Sequence, residues 1–119
     1  MENKSDIYVN LKEQLVTKVT RETNYQEDLI LKVVGGVVET MEEVIMGAYT
    51  GPINPSTYLR EEIGFDSLCE RELHLGIEDY LDIQISESDF FNKLYVSSKN
   101  KEVGPTVSDL VTKILGYIN

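Results

Sequence analysis

Positions 26–46 of this 119-residue chain carry one broad apolar stripe: Leu29, Ile30, Val33, Val34, Val37, Val38, Met41, Val44 and Ile45. They recur at the i, i+3, i+4 spacing that puts side chains on one side of an α-helix. Such a helix must bury that side, and the rest of the chain offers helical partners. Residues 6–20 place Ile7, Leu11, Leu15, Val16 and Val19 at helical spacing. Residues 67–81 form a further candidate, Phe90, Phe91 and Leu94 suggest a short one, and 106–118 close the chain with Val107, Leu110, Val111, Ile114, Leu115 and Ile118. No segment sustains the period-2 alternation of a strand. The expected architecture is all-α.

The breaks are as informative as the stripes. Gly35-Gly36 interrupts the strongest helix at about 1 kcal/mol each relative to alanine, which marks a kink or a close helix crossing. Gly47 is a helix stop. Thr20 to Asn24 reads as a polar linker. Residues 47–65 hold Gly51, Pro52, Pro55 and Gly64 and read as a long loop, with Tyr58, Leu59 and Ile63 to pin it to a core. Residues 97–105 are a second polar loop. Thr106 and Asp109 fit the [ST]-x-x-[DE] signature of a helix start.

Composition excludes several classes. At 13.5 kDa the chain supports one domain. No run of about 18 apolar residues exists, so no membrane span is expected. The opening MENKSDIY reads as neither secretory signal nor transit peptide. One cysteine, Cys69, allows no internal disulfide and no zinc cluster, and suits a reducing cytoplasm. The single histidine, His74, leaves little for acid–base catalysis and reads as a surface residue.

The net charge of −10 is unevenly spread. Residues 1–25 are neutral, 26–59 carry −4, 60–92 carry −8, and 93–119 carry +2. Such a surface repels nucleic acid and attracts basic proteins.

The stretch Leu59-Arg60-Glu61-Glu62-Ile63-Gly64-Phe65-Asp66-Ser67-Leu68 sets Ser67 at the start of a helix, after a glycine turn. There the hydroxyl is accessible, and the free N–H groups and dipole favour a negative substituent. Ser67-Leu68-Cys69-Glu70 also matches an ordinary capping box. On the following helix, Cys69, Leu73, Ile77, Tyr80 and Leu81 fall on one face suited to a core. Leu68 and Leu75 lie nearly opposite, flanked by Glu72 and Asp79, with Arg71 and Glu78 at the edge. Leucines among acids on an outer face read either as a recognition strip for a basic partner or as two ordinary exposed leucines.

On these residues the chain resembles the acyl carrier protein family. Glu61-Glu62-Ile63-Gly64-Phe65-Asp66-Ser67-Leu68 is similar to the family's acid-acid-Leu-Gly-x-Asp-Ser-Leu, followed by Glu72-Leu73 and then Glu78-Asp79. Leu81 to Ser86 resembles the link after that helix, with Ser86 where proline is common. The apolar helix 26–46 and the terminal helix 106–118 match the family's first and last helices in pattern.

The resemblance implies a four-helix bundle, three longer helices and one short, over residues 26–119, with residues 1–25 as an N-terminal extension. It implies that Ser67 accepts a 4′-phosphopantetheine arm from coenzyme A through a Mg²⁺-dependent phosphopantetheinyl transferase. Asp66 would help place the serine or that enzyme's metal ion. The arm's thiol would hold acyl groups as thioesters, and the protein, a cytoplasmic monomer, would be a carrier without catalytic residues or a metal of its own. Acyl synthases, transferases or reductases would dock through basic patches on Leu68, Glu72, Leu75, Glu78 and Asp79. Residues 1–25, Gly35-Gly36, Arg71 on the docking face and an insertion over 95–105 depart from the common pattern. They point to specialised lipid, polyketide or aminoacyl chemistry as readily as to fatty-acid synthesis.

The alternative is an acidic helical interaction module in which Ser67 is a plain cap. Gly64-Phe65-Asp66-Ser67-Leu68 also resembles the Gly-Asp-Ser-Leu esterases, but Phe65 breaks that motif and no nucleophile elbow is visible. Asp82 to Asp89 lacks the pattern of a calcium loop.

Overall fold

The structure, a computed structural model, describes residues 4–47, 49, 51–85, 90–97 and 104–118. Within them are five α-helices and no strand: α1 (Lys4–Glu22), α2 (Glu27–Ile45), α3 (Ser67–Leu81), α4 (Phe90–Ser97) and α5 (Val107–Ile118). A single π-helical turn, Leu59–Ile63, precedes α3. The link residue Ser86 and most of the expected 95–105 insertion fall outside the described residues, although α4 already takes in 95–97.

The wide stripe makes α2 the centre. Ile30, Val33, Val34, Val37, Val38 and Met41 are buried, and α2 packs against α1, α3 and α5. It ends at Met46, whose N–H bonds to the Glu42 carbonyl in a left-handed conformation that Gly47 continues.

The N-terminal segment is no appendage. Tyr8, Leu11, Leu15 and Val19 of α1 are all buried, and Lys12 pairs with Glu39 of α2 at 2.7 Å. The extension, read as helical over 6–20, forms α1 and packs on the bundle, so the described helices number five. α1 packs along α2 and covers part of its wide apolar surface.

The glycine pair marks a close crossing of α2 and α3. A Cβ on Gly36 would lie 3.0 Å from Leu81 Cδ2 and from Tyr80 Cδ1. Five residues earlier along α3, a Cβ on Gly76 would lie 2.4 Å from Thr40 Cγ2. Small residues on both helices let the backbones approach.

The long loop is pinned at Ile53, Leu59 and Phe65, all buried. Its carbonyls also complete the start of α5: the Val107 N–H bonds to Thr57 O and the Ser108 N–H to Pro55 O, each at 3.0 Å. The signature at that start forms as expected. Asp109 N–H donates to Thr106 Oγ1 and Thr106 N–H to Asp109 Oδ2. This double attachment, with the Leu59 N–H on Pro105 O, holds the chain that leads into α3.

Candidate functional site

Ser67 is the first residue of α3, and it is exposed. The chain reaches it through the π-helical turn. Glu62 and Ile63 N–H both bond to Tyr58 O, and Gly64, at φ 89°, reverses the backbone. Phe65 then anchors in the core with its N–H on Leu59 O. These ties leave residues 66–68 facing outward.

The capping box that Ser67 and Glu70 also matched does not form. Asp66 is the cap: its backbone is extended and its Oδ1 accepts the Cys69 N–H at 2.9 Å. A carboxylate accepts more strongly than a hydroxyl. The Cys69 N–H holds the Asp66 carboxyl below its usual range, although the group is fully exposed. Ser67 has no capping task.

Glu70 turns inward. It is 6 % exposed, and Arg60 Nε and Nη2 grip its two carboxylate oxygens, the second at 2.8 Å. Neither residue stood out in the sequence as part of the site. A signal existed, because Glu70 lies three, seven and eleven residues before Leu73, Ile77 and Leu81, on the stripe that enters the core.

The outer face of α3 is as anticipated in its leucines: Leu68 is 64 % and Leu75 54 % exposed, and Glu72, Asp79 and Arg71 are exposed beside them. Glu78 differs. Its Oε2 accepts the Ile85 N–H at 2.6 Å, while His74 Nε2 lies 3.2 Å from Ile85 O and 3.7 Å from that carboxylate oxygen. Two side chains one turn apart thus hold both polar groups of one peptide residue. His74 is not the surface residue expected, since it also packs edge-on against Phe90. Beyond Leu75 and Asp79 the face continues into an open groove of about 520 Å³ at the end of α3.

Tyr80 was expected on the core face and is instead 52 % exposed. Its ring lies over Gly36, and its hydroxyl is 3.6 Å from where a Gly35 Cβ would be. The glycines provide a shelf at the surface, so the ring need not enter the core. Cys69 is half-buried, and burial is the main cause that pushes its thiol up. Among the described residues no cluster of His, Cys, Asp or Glu is arranged to hold a metal ion, and no helix is long and apolar enough to cross a membrane.

Comparison with models of known families, with curated proteins and with solved structures returns no match.

Proposed function

We propose that the chain is an acyl carrier protein: Ser67 takes a 4′-phosphopantetheine arm from coenzyme A in the cytoplasm, and the bundle presents the acyl group to partner enzymes of lipid or polyketide synthesis. The observation that carries this reading is the division of labour at the start of α3. Asp66 caps the helix, which leaves an exposed Ser67 hydroxyl without a structural role.

The surroundings suit such a group. Gly64 has nothing within 4 Å on the side where a Cβ would stand, and Leu68 is exposed. Modification joins Ser67 Oγ to the β-phosphorus of coenzyme A and breaks the pyrophosphate P–O bond. Adenosine 3′,5′-bisphosphate leaves, and the hydroxyl proton passes to a base on the transferase. The attached arm supplies the thiol on which cargo is held as a thioester. Cys69 is a poor substitute, because burial disfavours its thiolate and the carboxylates of Asp66 and Glu72 disfavour it further.

The chain's own contribution is presentation. Asp66 stays ionised and holds the first turn on which Ser67 sits. Leu68 and Leu75 offer contact area, and Glu72 and Asp79 select a basic partner surface. Glu78 adds charge there, with its carboxylate committed to Ile85.

The test is incubation with coenzyme A, Mg²⁺ and a broad-specificity phosphopantetheinyl transferase, followed by mass spectrometry. The wild type gains one phosphopantetheine and Ser67→Ala gains none. An unchanged wild-type mass overturns the reading, and a Ser67→Ala variant that still gains mass moves the arm to another residue.

A further inference from the structure

Seven carboxylates lie from Glu61 to Asp79, and Glu70 alone among them is buried. The pair is only partly buried: the Arg60 side chain stays 30 % exposed and the Glu70 side chain 8 %, so desolvation of the carboxylate offsets part of their attraction. A fork of two parallel bonds does fix geometry, since the planar guanidinium meets the carboxylate in one orientation. Here it joins Arg60, inside the π-helical turn, to Glu70, inside the first turn of α3. The nine residues between them include Gly64, Phe65, Asp66 and Ser67.

Glu70 is also the i+3 neighbour of Ser67. Side chains at that spacing share a helix face with Cβ atoms about 5–6 Å apart, and helical side chains lean toward the N-terminus. The Glu70 carboxylate turns inward onto Arg60, one helical turn along α3 from the exposed Ser67. An unpaired carboxylate there would repel an anionic phosphate donor. Arg60 neutralises it.

We propose that Arg60 and Glu70 are positioning residues for modification of Ser67: their bidentate pair clamps the turn and cancels the carboxylate charge one helical turn from the reacting hydroxyl. This rests on the carrier reading of Ser67. The pair acts on the step in which the bond to phosphorus forms, after the transferase has docked on the outer face of α3. Its loss therefore lowers kcat and leaves KM for the carrier nearly unchanged.

The experiment compares transferase kinetics of the wild type with Arg60→Met/Glu70→Met, which removes both charges and keeps two long side chains. The double variant melts within a few degrees of the wild type, and its kcat falls about 10-fold or more through misplacement of the reacting atom, with KM within about twofold. Arg60→Lys keeps the charge and loses the fork. Its kcat falls by less, and amide hydrogen exchange at residues 65–67 quickens. Arg60→Lys serves as the deciding variant if the double variant does not fold. Wild-type kcat in either folded variant overturns the positioning role while the carrier reading stands. A wild type that gains no mass overturns both.

Discussion

At the residue scale the deciding pair is Asp66 and Ser67, adjacent in sequence and opposite in task. Because Asp66 holds the Cys69 N–H, Ser67→Ala leaves stability within about 0.5 kcal/mol of wild type, as for a surface position free of special features. Asp66→Ala instead lowers the urea midpoint. Matched urea denaturation curves check both, and a larger loss in Ser67→Ala than in Asp66→Ala would reverse the assignment. The pH dependence has a definite sign. The folded Asp66 carboxyl lies below its ordinary value, so its stabilisation is complete above about pH 4, the unfolded pKa. It fades as pH falls through the lower folded value. The gap between wild type and Asp66→Asn should be open at pH 7 and closed in strong acid.

Ser67 at a helix start was legible because a glycine turn and a following apolar stripe define that start locally. Its relief from capping was not, since aspartate and serine are both good caps and only the backbone at Asp66 decides between them. The fates of Glu70, Glu78 and His74 depend on Arg60, Ile85 and Phe90, seven to sixteen residues away in sequence, which helical periodicity does not see.

At the element scale, helix order was readable because each stripe had a clear period and clear ends. Gly35-Gly36 announced either a kink or a close crossing, and a close crossing is what forms. Its counterpart on α3 was not announced: Gly76 is a single glycine in an ordinary helix, and its purpose appears only when Thr40 is seen against it. An alanine there would place its Cβ 2.4 Å from Thr40 Cγ2. Gly76→Ala should therefore cost about 1–3 kcal/mol by overpacking, despite the higher helix propensity of alanine. Thr40→Ser removes the obstructing methyl, so Gly76→Ala/Thr40→Ser should recover most of that loss. A double-mutant cycle on urea midpoints reads the coupling. Additive effects would mean that α2 and α3 are not in contact at this point.

At the scale of the whole molecule two opposing quantities are set by different parts of the chain. The −8 on residues 60–92 pushes the bundle apart, and screening relieves it, because the Debye length falls from about 30 Å at 0.01 M salt to about 8 Å at 0.15 M. Melting temperature should rise over that range, and a flat response would show that the charges are too dispersed to matter. Against this repulsion stands apolar burial, to which α1 contributes heavily. Tyr8, Leu11, Leu15 and Val19 are at most 6 % exposed. At about 1.5–3 kcal/mol for each fully buried side chain, the four are together comparable with the roughly 5–15 kcal/mol that keeps a domain of this size folded. Removing residues 1–25 would also expose the side of α2 that α1 covers. The 26–119 fragment should therefore lose its cooperative thermal transition, as followed by circular dichroism, at any salt concentration that supports the full chain. If the fragment melts cooperatively near the full-length temperature, the bundle is complete without α1, and the first helix is an accessory to it.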